Sequence, residues 1–393
     1  MKYALIAIGV LILAFNSYAQ TSIDNILATI QKNNKNILAN TQYWEAKKLE
    51  YKTGLTLPNP SLQAQYLFGS PVGAGNQTDF FAVQPFDHPT SYKKRRELAN
   101  LQGDMSLSKI MALRQDVLLE GKLVCIELVY RHKLRAYYAQ HKARLDKLLQ
   151  DFQTKLAKGD AIILDVNKTK LQLLENQQLQ QSNAVDLQKL QTRLTELNAG
   201  QALVFTDTLY PPSLLLAQSF EQIEKEYESI DPLRQSLEHE KRIAEKQLEL
   251  AKLWRLPKFE AGYHYQSILG QRFNGLHAGV TLPLWEQKFR KESLTAQTLY
   301  ADMSLQAHAN THFFEIKTLY DRQASLQKTL TDYQTAISGV SNTTLLDKAL
   351  ALGQITTIEY FYEINFYQNA LLSYLKTEWE YQAVVAELMK YRL

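Results

Sequence analysis

Hydrophobic and polar positions alternate in short windows along the chain. Phe259, Ala261, Tyr263, Tyr265 and Ser267 share one side of a period-two pattern, with Glu260, Gly262, His264 and Gln266 on the other. Leu276, Ala278, Val280 and Leu282 alternate in the same way with Gly275, His277, Gly279 and Thr281. In the first half Leu62, Ala64, Tyr66 and Phe68 alternate with Ser61, Gln63 and Gln65. The window from Asp79 to Gln84 is less regular, because Phe80, Phe81, Ala82 and Val83 are consecutive. These windows predict strands over about 59–69, 78–86, 258–268 and 272–283. Each has about the 9 to 11 residues that a tilted membrane strand needs. One apolar and one polar side is the pattern of a barrel around a watery lumen, although a small antiparallel sheet in a soluble protein gives the same signal. Four strands cannot close a membrane barrel, which takes about eight, so such a barrel would draw on several chains.

Elsewhere the period lengthens. Leu187, Leu190, Leu194 and Leu197 step by three and four, as do Leu326, Leu330, Tyr333, Ile337 and Val340, the spacing of helices that seal against neighbours. None of the ten prolines lies between Pro89 and Pro211 or after Pro283. A proline inside a helix costs about 3 kcal/mol. The two proline-free blocks, rich in Leu, Gln, Lys, Glu and Ala, are therefore predicted as very long helices. One running from Ser91 to Lys158 would be roughly 100 Å long at 1.5 Å per residue.

The layout occurs twice. Leu57-Pro58 is matched by Leu256-Pro257 about 199 residues later, Pro85 by Pro283 about 198 later, and Gly159 by Gly353 about 194 later. Asp165 follows the first glycine by six residues and Glu359 follows the second by six. The period is too long for a solenoid and points to one unit used twice, running helix, strand, strand, long helix, turn, long helix.

Composition narrows the class. The 393 residues are 45% apolar and 21% charged with a net charge of +4, a folded protein without the basic stripe that nucleic acid requires. The 22 tyrosines are a surplus that suits interfaces and membrane boundaries. Lys2, the apolar run Ala4 to Phe15 and the small residues Ser17 and Ala19 predict a signal peptide over 1–19. A retained anchor is the alternative, but the run is shorter than the roughly 20 residues that span a bilayer. No later run reaches that length, so membrane residence would require a barrel. Cys125, the only cysteine, reads as a small buried hydrophobe.

Together these features resemble the TolC-like outer membrane efflux protein family, over essentially the whole chain after the signal. The stretches that carry the resemblance are Gly159-Asp160-Ala161-Ile162-Ile163-Leu164-Asp165-Val166, Gly353-Gln354-Ile355-Thr356-Thr357-Ile358-Glu359 and Val280-Thr281-Leu282-Pro283-Leu284-Trp285. The resemblance implies a mainly α fold with a small β part. Residues 20–207 would form a first repeat with its turn near 159, and 208–393 a second with its turn near 353. Long antiparallel coiled-coil helices would form a periplasmic tunnel, and four strands per chain would enter a twelve-stranded barrel in a homotrimer. Implied partners are outer membrane lipid, a periplasmic adaptor (membrane fusion protein) and an inner-membrane pump of the resistance-nodulation-division type. No cofactor and no enzyme activity are implied.

By the same resemblance Gly159, Asp165, Gly353 and Gln354 belong to the adaptor-contacting tips, Asp165 being structural or adaptor-contacting. Glu359 would join a ring of acids at the closed pore entrance; a solvated glutamate on an exposed helix face is its alternative. The family's second acid, three residues on, is here Tyr362 with Glu363 beside it, which leaves any second ring open. The short chain and the stretch from Gln84 to Tyr92 look most like the outer membrane components of heavy-metal pumps, with drug efflux and type I secretion as alternatives. A soluble periplasmic coiled-coil scaffold is the rival of a different class. An enzyme is disfavoured: no glycine-rich phosphate loop, serine–histidine–acid set or Gly-x-Ser-x-Gly occurs. His308 and His312 sit one turn apart without an evident third metal ligand and read as packing. His264 and His277 could line a lumen, and Lys93 to Arg96 form a solvated or headgroup-facing basic run.

Overall fold

The computed structural model describes residues 22–211, 218–283, 289–340 and 343–393, so the predicted signal peptide and Leu284-Trp285 lie outside the described residues. The elements are α1 (Ser22–Asn33), α2 (Lys35–Lys52), β1 (Ser61–Leu67), β2 (Gln77–Phe86), α3 (Pro89–Lys158) and α4 (Ile163–Leu197), followed by α5 (Phe220–Ile230), α6 (Pro232–Leu253), β3 (Lys258–Ile268), β4 (Gln271–Thr281), α7 (Arg290–Val340), α8 (Thr343–Ala351) and α9 (Thr357–Leu388). The order of helices, two strands and a helical hairpin occurs twice. The chain forms two compact units, one of residues up to Leu38 with Arg114–Glu226 and Phe314–Leu393, the other of Ala39–Leu113 with Tyr227–Phe313. Each unit takes segments from both halves.

Prolines mark helix starts. Pro89 is the first residue of α3, a 70-residue helix, and Pro232 is the first of α6, positions where the missing N–H costs nothing. Asp231 caps α6 by accepting the Arg234 N–H at 2.7 Å. Asn34 separates α1 from α2. Its Oδ1 accepts the N–H groups of Asn36 and Ile37 at 3.0 and 3.1 Å, and its Nδ2 donates to the Leu197 carbonyl at 2.8 Å.

The helical unit holds Ile30, Cys125, Ile126, Leu128, Val129, Leu194 and Leu388 in its core. Gly121 of α3 lets α1 approach, since a Cβ there would meet Ile30 at 3.0 Å and Leu27 at 3.2 Å. The α3–α4 hairpin is pinned by two buried amides. Asn176 Nδ2 donates to the Tyr138 carbonyl at 3.1 Å and Asn183 Nδ2 to the Arg131 carbonyl at 2.9 Å. Both donors and both acceptors are seven residues apart, so one register satisfies the pair and a slip breaks both. Leu194 and Leu197 are buried, whereas Leu326, Leu330, Tyr333 and Ile337 of the second heptad run stay half-buried.

His141 of α3 is buried, with the Gln368 amide 3.0 and 3.1 Å from its two ring nitrogens. Burial first, and then the Arg144 charge, hold its pKa down at about 4 against an ordinary 6.5. The folded value is the lower one, so its contribution is fully present above pH 6.5 and is lost as the pH falls toward 4, by up to about 3 kcal/mol. Thermal melts followed by helical circular dichroism should fall across this window, and His141→Gln should flatten the slope. An unchanged slope would remove His141 from the acid response.

Candidate functional site

The strands form one antiparallel sheet in the order β1-β2-β3-β4, which leaves β1 and β4 as its edges. Residues opposite one another across antiparallel strands share a face. Leu62 pairs Ala82, Ala82 pairs Tyr263 and Tyr263 pairs Leu276; Ala64 and Phe80 continue to Tyr265, and Phe259 pairs Val280. This face is apolar from edge to edge and open: Leu276 is 95% exposed, Leu62 69% and Val280 60%. The consecutive apolar run Phe80 to Val83 is a regular stretch of the interior strand β2 and not an irregularity. Phe81 points to the other face, where its ring stacks on His264 at a centroid distance of 4.0 Å and an interplanar angle of 9°.

That other face is polar, with Gln63, Gln65, Gln77, Asp79, Glu260, His264, Gln266 and His277 in register. His264 Nε2 lies 3.3 Å from Asp79 Oδ1, and His277 Nε2 lies 2.9 Å from Glu260 Oε1. The period of two shows which face each histidine takes. Nothing in the local sequence shows which acid each one meets, because both partners come from the neighbouring strand.

The two turns share one construction. Gly159 has φ +84° and Gly353 φ +67°, a conformation that glycine alone takes cheaply. In the first turn the Gly159 N–H donates to the Leu156 carbonyl at 3.1 Å and the Asp160 N–H to the Lys155 carbonyl at 2.9 Å. In the second, Gly353 donates to Leu350 at 3.1 Å and Gln354 to Ala349 at 2.8 Å. Both are Schellman closures. The next helix begins at the fourth residue after each glycine, at Ile163 and Thr357. Asp165 and Glu359 therefore both occupy the third helical position, where a carboxylate meets unpaired N–H groups and the positive end of the helix dipole.

At Glu359 the cap is complete. Thr356 Oγ1 accepts the Glu359 N–H at 3.2 Å, and Glu359 Oε2 accepts the Thr356 N–H at 2.7 Å. This backbone hydrogen bond holds the exposed Glu359 carboxyl below its usual range. The spacing Thr356-x-x-Glu359 is a capping-box signal that the sequence reading passed over. The first turn has Ile162 at the cap and no side-chain cap bond. Ile162, Ile163 and Leu164 are exposed there, as are Leu352 and Ile358 at the second turn. Tyr360, Phe361 and Ile364 pack with Leu145 behind it, and the Tyr360 hydroxyl donates to Asp347 at 2.7 Å.

The remaining candidates resolve into packing. The His312 ring sits 3.7 Å from that of Tyr227, and His308 Nε2 is 3.8 Å from Asp231 Oδ2. No group of three or more metal-ligating side chains occurs among the described residues. In the basic run, Lys94 pairs with Glu97 and Glu249, and Arg95 with Asp87 at 2.6 Å. Burial pushes the Cys125 thiol up to about 12, which leaves it unreactive. Among the described residues no helix is long and apolar enough to cross a membrane.

No protein-family model matches the sequence, and no curated protein matches it. Solved structures do match. A membrane protein from Pseudomonas aeruginosa superposes with a TM-score of 0.79 at 14% identity, covering 94% of this chain and 89% of that one. CusC, described for its folding and transmembrane channel formation, gives 0.75 at 12% identity over 94% and 91%. The outer membrane protein VceC of Vibrio cholerae gives 0.72 at 12% identity over 94% of each chain. At these identities the likeness is one of fold: the chain has the fold of TolC-like outer membrane channels.

Proposed function

We propose that this protein is a passive exit duct of the bacterial outer membrane, formed by three copies whose sheets close one twelve-stranded barrel. The observation that carries this reading is the sheet itself. It exposes an apolar face from edge to edge, backs it with a polar face, and leaves both edge strands open. In water such a sheet is a liability on two counts, its apolar patch and its unpaired edges. A ring of copies in lipid removes both, with the polar faces turned to a watery lumen. The helices also leave apolar surface for another copy, since Leu164, Leu171, Leu174 and Val185 of α4 are all exposed.

In this reading the helices extend into the periplasm, and a periplasmic adaptor docks at the turns through Gly159, Asp165, Gly353, Gln354 and the exposed aliphatic residues beside them. An inner-membrane pump of the resistance-nodulation-division type supplies the energy, and the duct does no chemistry. CusC and OprN superpose equally well, each at a TM-score of 0.75. Likeness therefore does not rank one cargo over another, and heavy-metal cations are the first to assay, before drugs and secreted proteins.

Glu359 is the acid of the pore entrance in this account. Glutamine also completes a capping box, so Glu359→Gln removes the charge and keeps the helix start. The substitution should lower cation-over-anion permeability in a bilayer with only a small loss of thermal stability. An unchanged ratio would leave Glu359 as a helix cap only. Fractionation tests the reading as a whole: the protein should pellet with outer membranes and resist salt and carbonate washing. Release into the soluble periplasmic fraction would instead favour a coiled-coil scaffold.

A further inference from the structure

We infer that the polar face of the sheet carries a proton-responsive charge-selectivity site, made of Asp79 with His264 and Glu260 with His277. The inference rests on the exit-duct reading, in which this face lines the lumen.

The pairing across β3 and β4 is what makes this a built arrangement. His264 stands opposite Gly275, His277 opposite Gly262, and Glu260 opposite Gly279. Each large polar side chain faces a residue with no side chain, which leaves it room to turn along the sheet toward its partner. A Cβ at Gly279 would run into the Glu260 carboxylate, so that glycine keeps open the place from which Glu260 reaches His277. Phe81 lies between the two pairs, stacked on His264 at 4.0 Å and edge-on to His277 at 6.3 Å. Asp79 is only 4% exposed, and its polar partners are His264 and the Gln77 amide, 2.7 Å away.

The charges on this face can be counted from the register. β1 contributes Ser61, Gln63, Gln65 and Leu67, none of them ionisable. β2 contributes Asp79, beside Gln77, Phe81, Val83 and Pro85. β3 contributes Lys258, Glu260 and His264, and β4 contributes His277 alone. With both imidazoles neutral, two carboxylates stand against one ammonium, and the face carries one net negative charge per copy. With both protonated it carries one net positive charge. Protonation therefore reverses the sign of the face, and an imidazole is the side chain that titrates in the range where this matters. The sign of the fixed charge on the wall of a water-filled passage biases which ions are concentrated along it. The site would make the duct cation-preferring at neutral and alkaline pH and would relax or reverse that preference in acid.

Reversal potentials across planar bilayers under a salt gradient test this, with the full chain, potassium chloride as the probe, and pH stepped from 8 to 5.5. The cation-to-anion permeability ratio of the wild type should fall by about threefold or more. His264→Gln/His277→Gln should stay cation-preferring at both ends of the range. If that variant does not insert, Glu260→Gln provides the second reading: it makes the face neutral at pH 8 and should lower the ratio there. A flat wild-type ratio would overturn the inference, as would a double variant that shifts as far as the wild type, or a Glu260→Gln ratio equal to that of the wild type at pH 8. A wild type with steady conductance but no pH response sinks this site alone. A wild type that never conducts sinks the exit-duct reading and the site with it.

Discussion

Lysine in place of Leu276 should keep the protein out of the outer membrane. Leu276 lies in the middle of β4, opposite Tyr263, on the apolar face and is 95% exposed. A lysine facing the bilayer midplane of a barrel costs about 2–4 kcal/mol, and the proposed assembly would incur that cost in every copy. The control is Gln63→Lys, in the opposite edge strand β1 and on the polar face, opposite Phe81. There the same charge would meet water and the variant should insert normally. Immunoblots of separated membranes give the answer. Normal insertion of Leu276→Lys together with failure of Gln63→Lys would mean that the two faces are assigned the wrong way round.

The second large effect is expected at the turns. Both Gly159 and Gly353 sit at positive φ, and nothing lies within 4 Å of a Cβ built on either. Space is therefore available and the cost of a side chain is conformational, about 1–2 kcal/mol for an L-residue in the left-handed region and more for a β-branched one. The strain falls on the Schellman closures and on the residues between the helices, far more than on the buried seam pinned by Asn176 and Asn183. Gly159→Val/Gly353→Val should therefore reach the membrane in normal amounts yet bind its adaptor about tenfold more weakly or worse. Co-purification with the adaptor and efflux-dependent resistance are the readouts. Full coupling in the double variant would take the adaptor contact away from these turns.

Which parts were legible in the sequence follows from how local their causes are. Proline acts through its own ring, so Pro89 and the proline-free stretch behind it announced α3 without any knowledge of its neighbours. Period-two alternation is equally local, and it assigned Leu276 and His277 to opposite faces. The run Phe80 to Val83 hid the pattern because Phe81, although apolar, belongs to the polar face, where His264 covers its ring. That stacking joins residues 81 and 264 and leaves no trace near either. Asn176 and Asn183 recur at seven residues, yet an amide reads as a solvated position until the Tyr138 and Arg131 carbonyls are brought to it. Glu359 is a different case: the spacing Thr356-x-x-Glu359 is local and marks the cap, whereas a place for its charge in a pore depends on other copies of the chain.

Single-channel conductance in planar bilayers, with the oligomeric state fixed by light scattering on the same detergent-extracted protein, tests the central claim most directly. The account predicts a trimer that conducts in small, cation-preferring steps at neutral pH. A soluble monomer or dimer that leaves the bilayer silent would contradict it and make the two-faced sheet part of a periplasmic scaffold.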